Sequence, residues 1–320
     1  MTLTRRQALA LLAVPAYAAL GGCGSAEWSA VEATRVNLAT GNRGGVFVRY
    51  GIALASVLRQ NLDGVTTRVV YTDASVDNAR RVGSGNCQIG FCLGDAAADA
   101  LAGQGAFDRP IDLVALTRMY DSFLHVVVRA DSPIRSVSDL RGRKVAIGPP
   151  VSGTRVTAIR VLAESGIDIS DITASSPSLN DSADALRRGE LDALFFVSGI
   201  PNAAILSLSR QTPIRLIDLG ALVDPMVAAY GPQYVVGPVP TSKYRLPDPV
   251  NTVSVKNYLI AARDLPEDLA YAITRVTFEQ QTAIQRLAPE IRQPTPGAAI
   301  FTSPLDLHPG ALRYFREQGR

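Results

Sequence analysis

From Val36 onward, short and almost wholly apolar runs alternate with longer stretches in which apolar residues recur every three or four positions. The runs at 36–40, 67–71, 88–93, 113–117, 123–130, 144–148 and 193–197 are predicted strands. The stretches at 46–60, 75–82, 95–102, 154–164 and 180–188 are predicted helices. Strands apolar on both faces, each followed by a helix, imply parallel sheets covered by helices on both sides. The segment 225–249 breaks this rhythm, being rich in Pro, Gly and Tyr with few helical stretches. A strand at 252–260 follows, then one long amphipathic helix at 266–286. Pro266 suits its first turn, and Glu267 and Asp268 complement its N-terminal dipole. A last helix starts near Pro309. The chain is therefore expected to form two α/β blocks, with its tail returning to the first and a ligand cleft between them.

Apolar residues make up 47% of the 320 and charged residues 19%, which is enough core for one large or two ordinary domains and excludes a disordered tail or a coiled coil. The 32 basic and 29 acidic residues fall to 30 against 29 once Arg5 and Arg6, in a leader expected to be removed, are set aside. Such balance gives no case for a nucleic-acid binder. Two histidines and three cysteines leave little for a metal site, and neither metal nor cofactor is expected.

Residues 1–23 place Arg5 and Arg6 before an apolar stretch that ends at Leu20-Gly21-Gly22-Cys23. The stretch is short for a bilayer span and has the shape of an export signal. A buried N-terminal helix is the other reading. The stretch ending at Cys23 resembles a bacterial lipoprotein lipobox. This implies a signal peptide over 1–22, a lipidated Cys23 and a short tether over 23–34, with the folded body outside the cytoplasmic membrane. Thr4-Arg5-Arg6-Gln7-Ala8-Leu9 also resembles a twin-arginine signal, with Ala8 where Phe is usual. Cys87 and Cys92 lie five apart in one predicted strand, roughly 16 Å at about 3.3 Å per residue. A disulfide needs Cα atoms within about 7 Å, so two separate core thiols are expected.

Two glycine-rich turns each leave a strand and open a helix: Thr40-Gly41-Asn42-Arg43-Gly44-Gly45-Val46, and Gly148-Pro149-Pro150-Val151-Ser152-Gly153-Thr154-Arg155. Glycine lets backbone approach a ligand, and the free N–H groups of a helix start attract anions. Ser152 and Thr154 can add hydroxyl donors and Arg155 a charged fork. Equally, Ser152 or Thr154 can simply cap the helix while Arg155 faces solvent. Neither turn matches a nucleotide-binding spacing, and no Gly-x-Ser-x-Gly elbow occurs. His125, ahead of an apolar strand, and His308, before Pro309, are expected to be structural.

Taken in order, several segments resemble the TAXI-type extracytoplasmic receptors of tripartite ATP-independent periplasmic (TRAP) transporters. The first glycine turn with Ala53-Leu54-Ala55 resembles that family's T-G-x-x-G-G-T-Y-Y-P-L-G, and Ala74-Ser75-Val76-Asp77-Asn78 its G-S-V-E-N. Gly94-Asp95 precedes an Ala-rich helix as in the family. Val151-Ser152-Gly153-Thr154 resembles its G-S-G-T, and Leu191-Asp192-Ala193 through Gly199-Ile200-Pro201 its I-D-A…G-x-P. Leu307-His308-Pro309-Gly310-Ala311 resembles its C-terminal signature. The likeness covers nearly all of 35–319. The chain departs from the pattern at Val46-Phe47-Val48-Arg49-Tyr50, where hydroxyl-bearing aromatics become apolar and Pro becomes Arg49, and at Val151 in place of Gly.

The resemblance implies a type II periplasmic binding protein, with 35–122 plus 241–320 as lobe I and 123–240 as lobe II. It implies capture of a small, anionic solute, a carboxylate or an amino acid such as glutamate, for TRAP permease subunits and with no chemical change. The ligand contacts it implies are Thr40, Gly44, Gly45 and Val46 in the first turn, Ser75 and Asn78 at a second helix start, and Ser152, Gly153 and Thr154 across the cleft; Arg155, read from the turn itself as a charged fork, joins them. Asp95, Tyr120 and Ser198 are further candidates. Two rivals are a ligand-sensing subunit of a membrane kinase and an exported hydrolase, although no nucleophile–base set stands out for the latter.

Overall fold

The computed structural model describes residues 34–289 and 291–320; the leader, Cys23 and nearly all of the tether lie outside the described residues. In chain order the elements are β1 (Thr34–Ala39), α1 (Val46–Asn61), β2 (Val65–Val70), α2 (Ser75–Gly83), β3 (Ile89–Leu93), α3 (Gly94–Ala102), β4 (Leu113–Arg129), β5 (Lys144–Ala146), α4 (Gly153–Glu164), β6 (Thr173–Ser175), α5 (Leu179–Arg188), β7 (Ala193–Ser198), α6 (Ala203–Gln211), β8 (Ile214–Leu216), α7 (Val223–Tyr230), β9 (Tyr234–Val239), β10 (Val250–Ala262), α8 (Glu267–Glu279), α9 (Gln281–Leu287), α10 (Pro296–Ala299) and α11 (Pro309–Glu317).

The strands join in the order β2-β1-β3-β10-β4-β7-β5-β6, with β9 beside β10 and β8 beside β4. Pairs within the βα units, β1 with β2 and β3, and β5 with β6 and β7, are parallel. The long strands β4 and β10 run antiparallel to each other and to their other neighbours, so the sheet is mixed rather than purely parallel.

Each lobe has a core on both faces of its sheet. In the first, Leu38, Leu54, Leu58, Ile273 and Phe315 fill one face, and Val76, Val82, Ala96 and Leu113 the other. In the second, Val126, Val145 and Leu162 oppose Val127, Leu186 and Leu208. Phe315 in α11 packs into the first core, so the tail does return there.

The two predicted strands at 113–117 and 123–130 are one strand, β4. It crosses between the lobes, passing from the first core at Tyr120 to the second at Leu124. Polar Arg118, Asp121 and Ser122 mark that crossing, which is why the apolar pattern breaks there without a turn. The second crossing lies in β10, where Val255 packs with the second lobe and Tyr258 with the first. It falls later than the expected boundary at 241, because Tyr244 and Leu246 fill the second core. The predicted 266–286 helix divides at Gln280 into α8 and α9. Cys87 and Cys92 are separate buried thiols.

Both histidines are structural. His308 caps α11, its Nδ1 accepting from the Gly310 N–H at 3.1 Å. His125 is fully buried, with Nδ1 3.0 Å from the Phe196 carbonyl and Nε2 2.9 Å from the Tyr244 hydroxyl. Since the Asn202 N–H donates to that hydroxyl, Tyr244 donates to Nε2, and the ring is neutral with its proton on Nδ1. Burial lowers its pKa from 6.5 to about 4. A depressed folded-state value means that its contribution is complete above pH 6.5 and disappears as pH falls through about 4. Urea unfolding at pH 7 and pH 4 should show wild type losing on the order of 3 kcal/mol more than His125→Gln over this interval. Equal losses in the two proteins would contradict the assignment.

Candidate functional site

α1 and α4 begin at the two glycine-rich turns, and α2 begins at Ser75; all three helix starts meet between the lobes. Each turn touches the opposite lobe. A Cβ on Gly153 would sit 2.6 Å from Ser75 Oγ and 2.5 Å from Leu93 Cδ1, so only glycine lets α4 approach α2 this closely. On the other side Gly44, at φ +89°, lies against Asn180 of the second lobe, and Asn202 Nδ2 donates to its carbonyl at 3.5 Å. The Asp77 N–H adds a cross-lobe bond to the Val151 carbonyl at 3.2 Å.

These contacts flank a partly open cavity of about 40 Å³. Of the expected contacts, Gly45, Val46, Ser75, Tyr120, Ser152, Gly153, Thr154 and Ser198 form its wall. Ser152 also caps α4, its Oγ accepting from the Arg155 N–H at 3.1 Å, so both readings of that residue hold. No acidic, basic or histidine side chain belongs to the wall.

The structure does not bring the other five to the wall. Gly44 stands beside it. Thr40 donates its hydroxyl to the Val70 carbonyl at 2.8 Å, tying β1 to β2. Asn78 is fully buried and donates to the carbonyls of Thr40 and Phe91 at 2.6 and 2.7 Å while accepting from Thr72. It locks the loops that carry the site. Arg155 contributes its backbone N–H to the cap, and its side chain lies off the cavity.

Asp95 belongs to a different arrangement. It is fully buried at the start of α3 and accepts from the Ala96 N–H, Thr157 and Tyr234 at 2.7, 2.8 and 3.1 Å. Burial raises its pKa, against the opposing pull of Arg160 and Thr157. Arg160 on α4 pairs with Asp99 on α3 through two 2.7 Å bonds and donates to Tyr234 at 2.8 Å. Asp95 therefore helps clamp the lobes and lies off the cavity wall.

Sequence reasoning missed Asn42, Phe47, Ser122 and Phe196, which line the wall along with Gly41, Ala74, Leu93 and Val197. Phe47 stacks on Phe91 at 5.3 Å and meets Tyr120 edge-on at 6.5 Å, giving an aromatic side to the cavity. Ala74, also on the wall, sits at φ +75°, a conformation glycine adopts more easily. A larger open groove of about 730 Å³ lies on the first lobe alone. There Arg81 is paired with Asp77, and Arg80 covers the Phe107 ring at 5.7 Å. The groove has no residue from the second lobe, so the cavity between the lobes is the candidate site.

Solved structures share this architecture. A protein from Bordetella bronchiseptica RB50 is similar at 17% identity over 88% of each chain, with a TM-score of 0.53. A TctC solute binding protein from Polaromonas is similar at 13% identity over 89% of this chain and 98% of that one, with a TM-score of 0.51. At such identities the likeness shows the fold alone, two α/β lobes joined by long crossing strands. The family model described as NMT1-like matches residues 38–319, and the chain belongs to the NMT1-like family.

Proposed function

We propose that this chain is an extracytoplasmic receptor of the TAXI type. It captures a small carboxylate-bearing solute between its lobes by hinge closure and presents it, chemically unchanged, to a TRAP permease. The observation that carries this reading is the cavity between the lobes, built from helix starts of both. Backbone N–H groups and hydroxyls there favour an anion, and β4 and β10 supply two strands about which the lobes can pivot. The description of the Polaromonas protein as a solute binding protein supports a binding role. Attachment by a lipid on Cys23, with the body on the outer face of the cytoplasmic membrane, completes the proposal.

Native mass spectrometry of the full chain, extracted from its own membranes with mild detergent, tests it. The expected spectrum shows one small-molecule adduct per chain, released intact on unfolding, and a diacylglyceryl mass on a chain beginning at Cys23. A chain that carries no solute under any growth condition would overturn the receptor reading, and one retaining residues 1–22 would overturn the anchor. Cross-linking to a sensor kinase instead of a permease would move the output from transport to signalling.

A further inference from the structure

We infer that the solute is a short monocarboxylate without an ammonium group, held by hydroxyl donors at one end and an aromatic wall at the other. The inference rests on the receptor reading and narrows it. Ser75, Thr154 and Ser198 are buried on the cavity wall. Each hydroxyl oxygen already accepts one hydrogen bond: from the Leu93 N–H at 3.1 Å, the Val197 N–H at 3.2 Å and Asn202 Nδ2 at 3.2 Å, respectively. Thr154 and Ser198 donate to no acceptor among the described residues, and the Ser75 hydroxyl has only the Cys92 sulfur, a weak acceptor, for its proton, so all three can turn to a guest. Ser152 is spent, donating to the Pro149 carbonyl at 2.8 Å, and Ser122 is engaged with Asn257. The polar part of the cavity thus offers donors from both lobes, and α1 adds an N-terminus with no side-chain cap. Such a surface suits a group that only accepts.

An ammonium group needs the reverse. A buried cation is costly unless a carboxylate pairs with it. The wall holds no carboxylate, and Asn42 carries its one side-chain carbonyl. Asp95 lies off the wall with both oxygens occupied. With no basic side chain on the wall, one carboxylate takes up the hydroxyl donors, and a second acidic group, as in glutamate, would have to share them. Phe47, Tyr120 and Phe196 line the rest, leaving apolar surface for a hydrocarbon body. The cavity is small, about 40 Å³, which favours a short body.

Calorimetric titration of the full chain with propanoate, butanoate, 2-oxobutanoate, 2-hydroxybutanoate, 2-aminobutanoate and glutamate tests the inference. The best of the acids lacking nitrogen is expected to bind at least tenfold more tightly than 2-aminobutanoate or glutamate. Thr154→Val should weaken that acid about 10- to 100-fold, with Thr154→Ser restoring it to within about threefold. Equal or tighter binding of an amino acid would overturn the inference and leave the receptor reading intact. So would failure of every acid lacking nitrogen when a different solute is found on the purified chain. If no acid binds and no solute accompanies the chain, both readings fall.

Discussion

Gly153→Val is expected to weaken solute binding at least 100-fold while both lobes stay folded. The argument is steric and local. A Cβ at this position meets Ser75 Oγ at 2.6 Å, Ser75 Cβ at 3.0 Å and Leu93 Cδ1 at 2.5 Å; Ser75 opens α2 and Leu93 ends β3, both first-lobe elements, with the Leu93 side chain reaching into the second core. Gly153 is the first residue of α4 and its φ does not require glycine, so the second lobe itself has no objection to a side chain. The overlap is relieved by parting the lobes, which carries Thr154 and Ser198 away from Ser75. Binding then has to overcome the cross-lobe overlap, and 100-fold corresponds to about 2.7 kcal/mol, modest for two branched methyls forced into a packed contact. Gly153→Ala should fall between wild type and valine. Titration calorimetry with the bound solute reads the affinity, and far-UV circular dichroism checks the fold. Full affinity in the valine variant would mean that capture does not need this contact.

Arg160→Ala is expected to cost about 3–5 kcal/mol of stability at neutral pH, a melting-temperature drop on the order of 10 °C. Arg160 and Asp99 have side chains only 12% and 3% exposed, and the pair joins α4 of one lobe to α3 of the other. Truncation leaves the carboxylates of Asp95 and Asp99 buried without their cation and strips the Tyr234 hydroxyl of a donor. It also removes a guanidinium stacked 4.7 Å over the Tyr230 ring. Burial already raises the Asp95 pKa, and Arg160 is among the groups that hold it down. Without that charge the folded-state value rises further above the unfolded one. Such a group costs least below its unfolded pKa and most once pH has risen through its folded value. The deficit should therefore shrink on acidification from pH 7.5 to pH 5, as measured by urea unfolding of variant and wild type at both values. A variant as stable as wild type, or a deficit that grows on acidification, would contradict the clamp.

The βα units were legible because a strand buried on both faces and an amphipathic helix leave different periodicities, and β1 to α3 fall within a residue or two of their expected limits. α7 and β9 were not, because proline hid them. Pro225 sits in the first turn of α7, where a missing N–H costs nothing, and Pro238 lies in β9, which pairs only with β10 among the described strands and so leaves one edge free of ladder bonds. The single strand β4 looked like two because its crossing between lobes is polar.

The site shows a similar division. Glycines at a strand-to-helix turn marked both jaws, since backbone can approach backbone only where a Cβ is missing. Polar residues near those turns were ambiguous, because the same side chains serve a guest or the scaffold. Ser75 and Thr154 reach the cavity, whereas Thr40, Asn78 and Asp95 spend their hydrogen bonds on loops and on the lobe interface. Phe196 and Ser122 carried no local signal. Phe196 lies in β7 and Ser122 in β4, and both reach the wall only through the way the two lobes meet.

A crystal structure of the chain with its tightest-binding solute tests the central claim most directly. The account predicts one unaltered molecule between the lobes, its carboxylate within hydrogen-bond distance of the Ser75, Thr154 and Ser198 hydroxyls and its body against Phe47. Solute seated instead in the open groove beside Arg80 and Phe107, or recovered as a reaction product, would contradict it.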